Sequence, residues 1–106
     1  MMDQLEKTER LNQLYELYGV LLTDKQQAYF VAYYQNDFSF AEIAQEFKVS
    51  RNAVFDQLNN AIMHLEHYEE KLKLLAKKND RLTWLKLYEE TKDVQYLEKL
   101  AEMEEV

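Results

Sequence analysis

Two serines set eleven residues apart, Ser39 and Ser50, each stand ahead of a short apolar run at helical spacing, and this pairing is what most narrows the folds open to the chain. Ser39 is followed three positions on by Glu42, the pattern of a capping box in which side chain and backbone satisfy two orphan donors reciprocally. Ile43, Ala44 and Phe47 then recur at helical steps, Ala44 is small enough for a close helix crossing, and Val49 is placed to plug a turn. Ser50 is the cap of a second helix, whose buried side is marked by Val54, Leu58, Ala61 and Leu65. This is helix-turn-helix spacing over residues 39–65, a unit that normally lays its second helix in a DNA major groove.

The flanking sequence extends the pattern. Leu11, Leu14, Tyr15, Tyr18, Leu21 and Leu22 predict an N-terminal amphipathic helix that weakens near Gly19. Thr23 with Gln26 is a second capping box, opening a helix with Tyr29, Phe30, Tyr33 and Tyr34 on an aromatic face, and Asn36 and Asp37 break it before Ser39. The eight tyrosines sit mostly at core spacing, which points to packing rather than base stacking. After Ser50 the seam runs on through Tyr68, Leu72 and Leu75, with Asn79 and Leu82 in register. That predicts one unbroken helix of about 28 residues, roughly 40 Å long. Either the later segments cover the seam by folding back (Leu82, Trp84, Leu85, Leu87 and Tyr88, then Val94, Leu97, Leu100 and Ala101 beyond a break at residues 91–93) or two chains share it as a homodimer. Asp93 is the expected N-cap of the last helix, and the terminal EMEEV is expected to fray.

Composition fixes the class. No proline, one glycine and 31% charged residues in 106 positions describe an all-α chain. It is read as a single domain over residues 1–106, with a helix-turn-helix core at about 23–65 and a helical extension at about 66–106. The absence of cysteine excludes disulfides and thiolate metal sites and fits a cytoplasmic location. No apolar run approaches the roughly 20 residues of a membrane span, and Asp3, Glu6 and Glu9 stand where a signal peptide is basic, so no membrane insertion is expected.

The same inventory argues against catalysis. A phosphate-cradling loop needs several glycines, and Gly19 stands alone. His64 and His67 lie three apart with Glu66 and Glu70 nearby, but that spacing matches no zinc motif. No cofactor, no metal and no enzymatic activity are expected.

Charge decides what a helix-turn-helix can bind. Residues 39–70 hold the bases Lys48 and Arg51 against Glu42, Glu46, Asp56, Glu66, Glu69 and Glu70, a net of −4 in a chain of net −7. Duplex affinity comes largely from neutralised phosphates, so this face is poorly equipped for DNA. Its outward positions are Asn52, Asp56, Asn59, Asn60 and Met63, and asparagine can read adenine edges only if phosphate contacts hold the register. The candidate nucleic-acid contacts on this face are therefore Lys48, Ser50, Arg51, Asn52 and Asn59. Five of the thirteen basic residues gather further on, at Lys71, Lys73, Lys77, Lys78 and Arg81, opposed there by Asp80. This run is either a solvated helix face or a contact for phosphate or acidic protein. Phe55 flanks the buried side and is expected to pack, whereas Met63 is the candidate protein contact; a partly exposed Phe55 beside it would serve the same role.

The run LTDKQQAYFVAYYQNDFSFAEIAQEFKVSRNAVFDQLNNA, residues 22–61, resembles the helix-turn-helix of sigma-factor region 4, with its Leu-Thr start, Ser-x-x-Glu-Ile-Ala and Val-Ser-Arg. Nearly the whole chain resembles the YlxM family of small bacterial proteins, through LLTDKQ at 21–26, AEIAQEFKVSRNAVFD at 41–56 and an acidic helical C-terminus containing Lys92-Asp93. That resemblance implies a regulatory role in co-translational protein targeting, through the RNA or the GTPases of the signal recognition particle. A DNA-binding transcriptional regulator is the alternative. The chain departs from the sigma-like pattern at Lys48, where a turn glycine is common, and at Phe55, Asp56 and Asn59, where DNA-reading relatives tend to carry bases.

Overall fold

A computed structural model of the chain describes residues 3–104, and those residues are helical almost throughout. The elements are α1 (Gln4–Tyr18), a 3₁₀ turn (Gly19–Leu21), α2 (Asp24–Phe30), a π-turn (Val31–Gln35), α3 (Phe40–Phe47), α4 (Arg51–Leu72), α5 (Leu74–Thr91) and α6 (Gln95–Glu104). They form two compact units, dividing between Leu72 and Lys73. The expected core-extension boundary at 65/66 falls inside α4.

In the first unit α1, α2 and α3 each pack on α4. The predicted caps are all in use. Thr23 and Gln26 close one capping box and Ser39 and Glu42 a second, while Ser50 Oγ accepts the Ala53 N–H at 3.0 Å. Val54, Leu58, Ala61 and Leu65 on α4 are buried, as are Leu11, Leu14, Tyr18, Phe30 and Ile43 on the helices that pack on it. The tyrosines pack, as their spacing predicts. Tyr18 and Tyr29 are buried, Tyr15 stacks on Phe30 at 4.5 Å, and Tyr33 stacks on Phe40 at 4.7 Å.

Several expectations are corrected. The long helix ends at Leu72, after 22 residues, because Lys73 takes a left-handed conformation (φ 56°, ψ 31°). Of the predicted seam beyond Leu65, Tyr68 is half-buried, Leu72 is exposed and Leu75 is buried. Leu21, read as part of the apolar face, is exposed at the end of the 3₁₀ turn, and Leu22 is buried instead. Gly19 marks the weakening that was expected, opening the 3₁₀ turn where α1 ends. It keeps right-handed helical angles (φ −55°), and an added Cβ would lie 2.9 Å from the Tyr15 ring, so glycine is needed there for space. The helix begun at Thr23 does break at Asn36 and Asp37 as expected, after widening into the π-turn, and Asp37 turns left-handed there (φ 58°). Phe47, read with the core residues, is half-exposed, its ring set edge-to-face with Tyr29 at 4.9 Å.

In the second unit α5 packs on α6. Trp84 and Tyr96 stack at 6.1 Å, and the break falls where expected, with Lys92 left-handed (φ 59°) and Asp93 Oδ1 accepting the Gln95 N–H at 3.0 Å. Of the EMEEV tail, Glu102–Glu104 continue α6, and the last two residues lie outside the described ones. No described helix is long and apolar enough to cross a membrane.

Candidate nucleic-acid interface

The turn between α3 and α4 is built by Lys48 in the left-handed region (φ 57°, ψ 48°), a conformation costing an L-residue roughly 1–2 kcal/mol. Two successive donors offset that cost, since the N–H groups of both Lys48 and Val49 reach the Ala44 carbonyl. The turn aims α4 so that Arg51, Asn52, Phe55, Asp56, Asn59, Asn60 and Met63 all lie exposed along its first half. The outward face read from the sequence is thus the outward face of the fold, and it includes every candidate contact assigned there, with Lys48 at its edge. Ser50 is committed to its cap.

The charges on this face remain sparse. Against Lys48 and Arg51 stand three exposed carboxylates, Glu42 and Glu46 on α3 and Asp56 on α4. In α3, Glu42 reaches back to its own cap. The bonds from the Ser39 backbone N–H and hydroxyl hold its carboxyl below the usual range. Each phosphate neutralised on duplex DNA contributes about 0.9 to the salt slope, and two bases support a slope near −2, against about −10 for a strong repressor.

Phe55 is half-exposed at 49%, and its ring makes an edge-to-face contact with Phe40 at 6.0 Å, so it both packs and faces outward. Met63 is 66% exposed and borders a depression of about 610 Å³ with Arg10, Glu66, His67 and Glu70. His64 and His67 rest their rings near Tyr68, at 6.4 and 6.3 Å.

The cationic run is divided by the fold. Lys71 ends α4 in the first unit, whereas Lys73, Lys77, Lys78 and Arg81 belong to the second. There Lys77 and Arg81, four residues apart, share one side of α5, with Lys78 half-buried next to Lys77 and Lys73 just ahead of the helix in its left-handed cap.

Two polar links between α1 and α4 had no local signal in the sequence. Arg10 donates from Nε and Nη2 to the two carboxylate oxygens of Glu66, both at 3.0 Å, which raises the Arg10 pKa further. The Tyr18 hydroxyl donates to the buried Glu69 carboxylate at 2.7 Å. Glu66, counted from the sequence as a free acid repelling phosphate, is therefore neutralised by an arginine 56 residues away.

The architecture defines a helix-turn-helix protein carrying two helices, α1 and α2, before the motif and a helical hairpin after it. The chain belongs to the UPF0122 family, whose description is "Putative helix-turn-helix protein, YlxM / p13 like" and whose model matches residues 5–106. It is 50% identical over 91 residues to a UPF0122 protein of Halalkalibacterium halodurans, an alignment spanning 86% of this chain and 84% of the relative. It is similar to the UPF0122 protein YlxM of Bacillus subtilis, 52% identical over 77 residues, with 73% and 70% covered. A UPF0122 protein of Lacticaseibacillus casei is 53% identical over 73 residues, which is 69% of this chain and 65% of that relative.

Proposed function

We propose that this chain is a non-enzymatic regulatory module of co-translational protein targeting in the bacterial cytoplasm, contacting the RNA or the GTPases of the signal recognition particle. The observation that carries the reading is the separation of shape from charge. The recognition helix has the geometry of a groove reader but little to hold phosphates, whereas the densest cationic cluster, Lys77, Lys78 and Arg81, lies on another helix, with Lys73 at its cap. The pathway itself is taken from the YlxM-like resemblance. RNA is recognised through its backbone and its unpaired bases rather than by a helix in the deep, narrow major groove, and it suits a positive cluster better than α4 suits duplex DNA.

Fluorescence anisotropy of the full chain against particle RNA and against a duplex DNA, at about 50 and 200 mM salt, tests this. Expected is RNA binding that weakens with salt, with K77A/K78A/R81A flattening the slope by roughly 2. RNA affinity unchanged after replacement of Arg51 and all five run residues would remove the site assignment. A second reading, a DNA-binding regulator, is favoured by the exposed Arg51, Asn52 and Asn59 on the first half of α4. Duplex binding abolished by R51A/N52A/N59A, with no RNA binding, would establish it instead. GTPase retention on the tagged chain that survives nuclease and high salt would assign the contact to protein.

A further inference from the structure

We propose that the groove between α2, its π-turn and α3 is a docking site for a cationic amphipathic helical segment of a partner protein, a site separate from both the α4 face and the α5 cluster. The groove encloses about 520 Å³. Its apolar lining includes Ala28, Val31, Phe38 and Phe47, and among its described lining residues the charged ones are Asp24 and Glu46. Both carboxylates are exposed.

The apolar surface is held open by the backbone. Val31 and Ala32 lie in the π-turn, an element frequently found at functional sites, and the Phe38 N–H bonds the Ala32 carbonyl at 2.9 Å, fixing the loop that carries Phe38. Phe38 and Phe47 remain 37% and 40% exposed, although the same unit buries Phe30 completely. Two half-open rings over a floor of small residues suit the apolar anchors of an amphipathic helix, which enter such grooves at i, i+3 or i+4, and i+7.

Charge selects the occupant. Two carboxylates with no lining base repel phosphate and favour Lys or Arg beside the apolar anchors. A second copy is disfavoured at long range, because each chain carries −7. The site does not depend on which nucleic acid, if any, meets α4 or α5, and none of the residues lining it belongs to either helix.

The test uses the full chain, ¹⁵N-labelled, titrated with a designed helical peptide of about 14 residues bearing Leu and Phe on one face and Lys on the other, and with its twin carrying Glu in place of Lys. Expected are amide shifts centred on residues 24–47 with the Lys peptide, and affinity at least about tenfold weaker for the Glu twin. D24K/E46K should reverse that preference. Ala28→Phe, which fills the floor and leaves the charges alone, should block both peptides, and R51A/N59A should leave binding unchanged. Equal affinity for the two peptides, shifts centred on α4 or α5, or binding indifferent to both D24K/E46K and Ala28→Phe would overturn the proposal. So would sedimentation showing self-association of the chain that D24K/E46K abolishes, since the groove would then belong to a second copy.

Discussion

Residues 3–72 and residues 73–104 are equally helical, yet they use their apolar side chains differently. The first unit buries Leu14, Tyr18, Phe30, Ile43, Val54 and Leu65 almost completely, in a core that four helices share. In the second, Leu74, Leu82, Leu85, Val94 and Leu97 are exposed, and Leu75 is the buried apolar residue among those described. Two helices have too few faces to enclose a core, and units below about 40 residues rarely stand without added support. The difference teaches that helix content says little about where stability resides; the first unit holds it, and the second presents surface.

The strongest challenge to this comparison is a matched pair of truncations. Phe30→Ala should cost about 3–5 kcal/mol in urea unfolding, whereas Leu85→Ala should stay within about 0.5 kcal/mol. Equal losses would erase the distinction. Gly19→Ala comes next, at about 1–3 kcal/mol, because the Tyr15 ring it meets is already stacked on Phe30. The same substitution made in a Tyr15→Ala background should be nearly neutral by thermal denaturation, which would locate the cost in that one contact. Ser39→Ala, removing a cap within the first unit, should lose about 1 kcal/mol.

The smallest effect is a pH dependence. The Ser39 bonds hold the folded Glu42 carboxyl below its ordinary 4.5, so its contribution is present above that pH and disappears as the pH falls through the folded value. The side-chain amide introduced by Glu42→Gln can still accept from the Ser39 N–H but does not titrate. Stability profiles of the two proteins should therefore converge as the pH drops below 4.5. A gap that stays constant to pH 3, about the foot of the carboxylate range, would remove Glu42 from the acid response.

Much of the fold was legible because its signals are local. Ser39 with Glu42 and Thr23 with Gln26 spell out caps within four residues, and Val54, Leu58, Ala61 and Leu65 spell out a buried stripe. Lys48 was legible as a left-handed turn because a glycine is common at that point of the sigma-like pattern. The end of α4 was not. Lys73 has no glycine, proline or asparagine beside it, and the heptad continues through it unchanged. Of the candidate nucleic-acid residues, those on α4 were placed by periodicity on the face where they lie. The run from Lys71 to Arg81 looked continuous only because the division between units leaves no mark on composition.

The sequence by itself determined the helical class, the caps, the helix-turn-helix and the acidity of its reading face, because each depends on residues a few positions apart or on a sum over the chain. Tertiary structure alone decided where the long helix stops, why residue 19 must be glycine, and that Arg10 neutralises Glu66 and Tyr18 meets Glu69. It also decided that Phe38 and Phe47 stay half-open over a groove whose charged lining is acidic. Arg10 with Glu66 and Tyr18 with Glu69 are set by atoms far apart in the chain, and even the local clash of residue 19 with Tyr15 depends on the distant Phe30 that stacks on that ring, so each follows only once burial of the core has fixed which helices are neighbours.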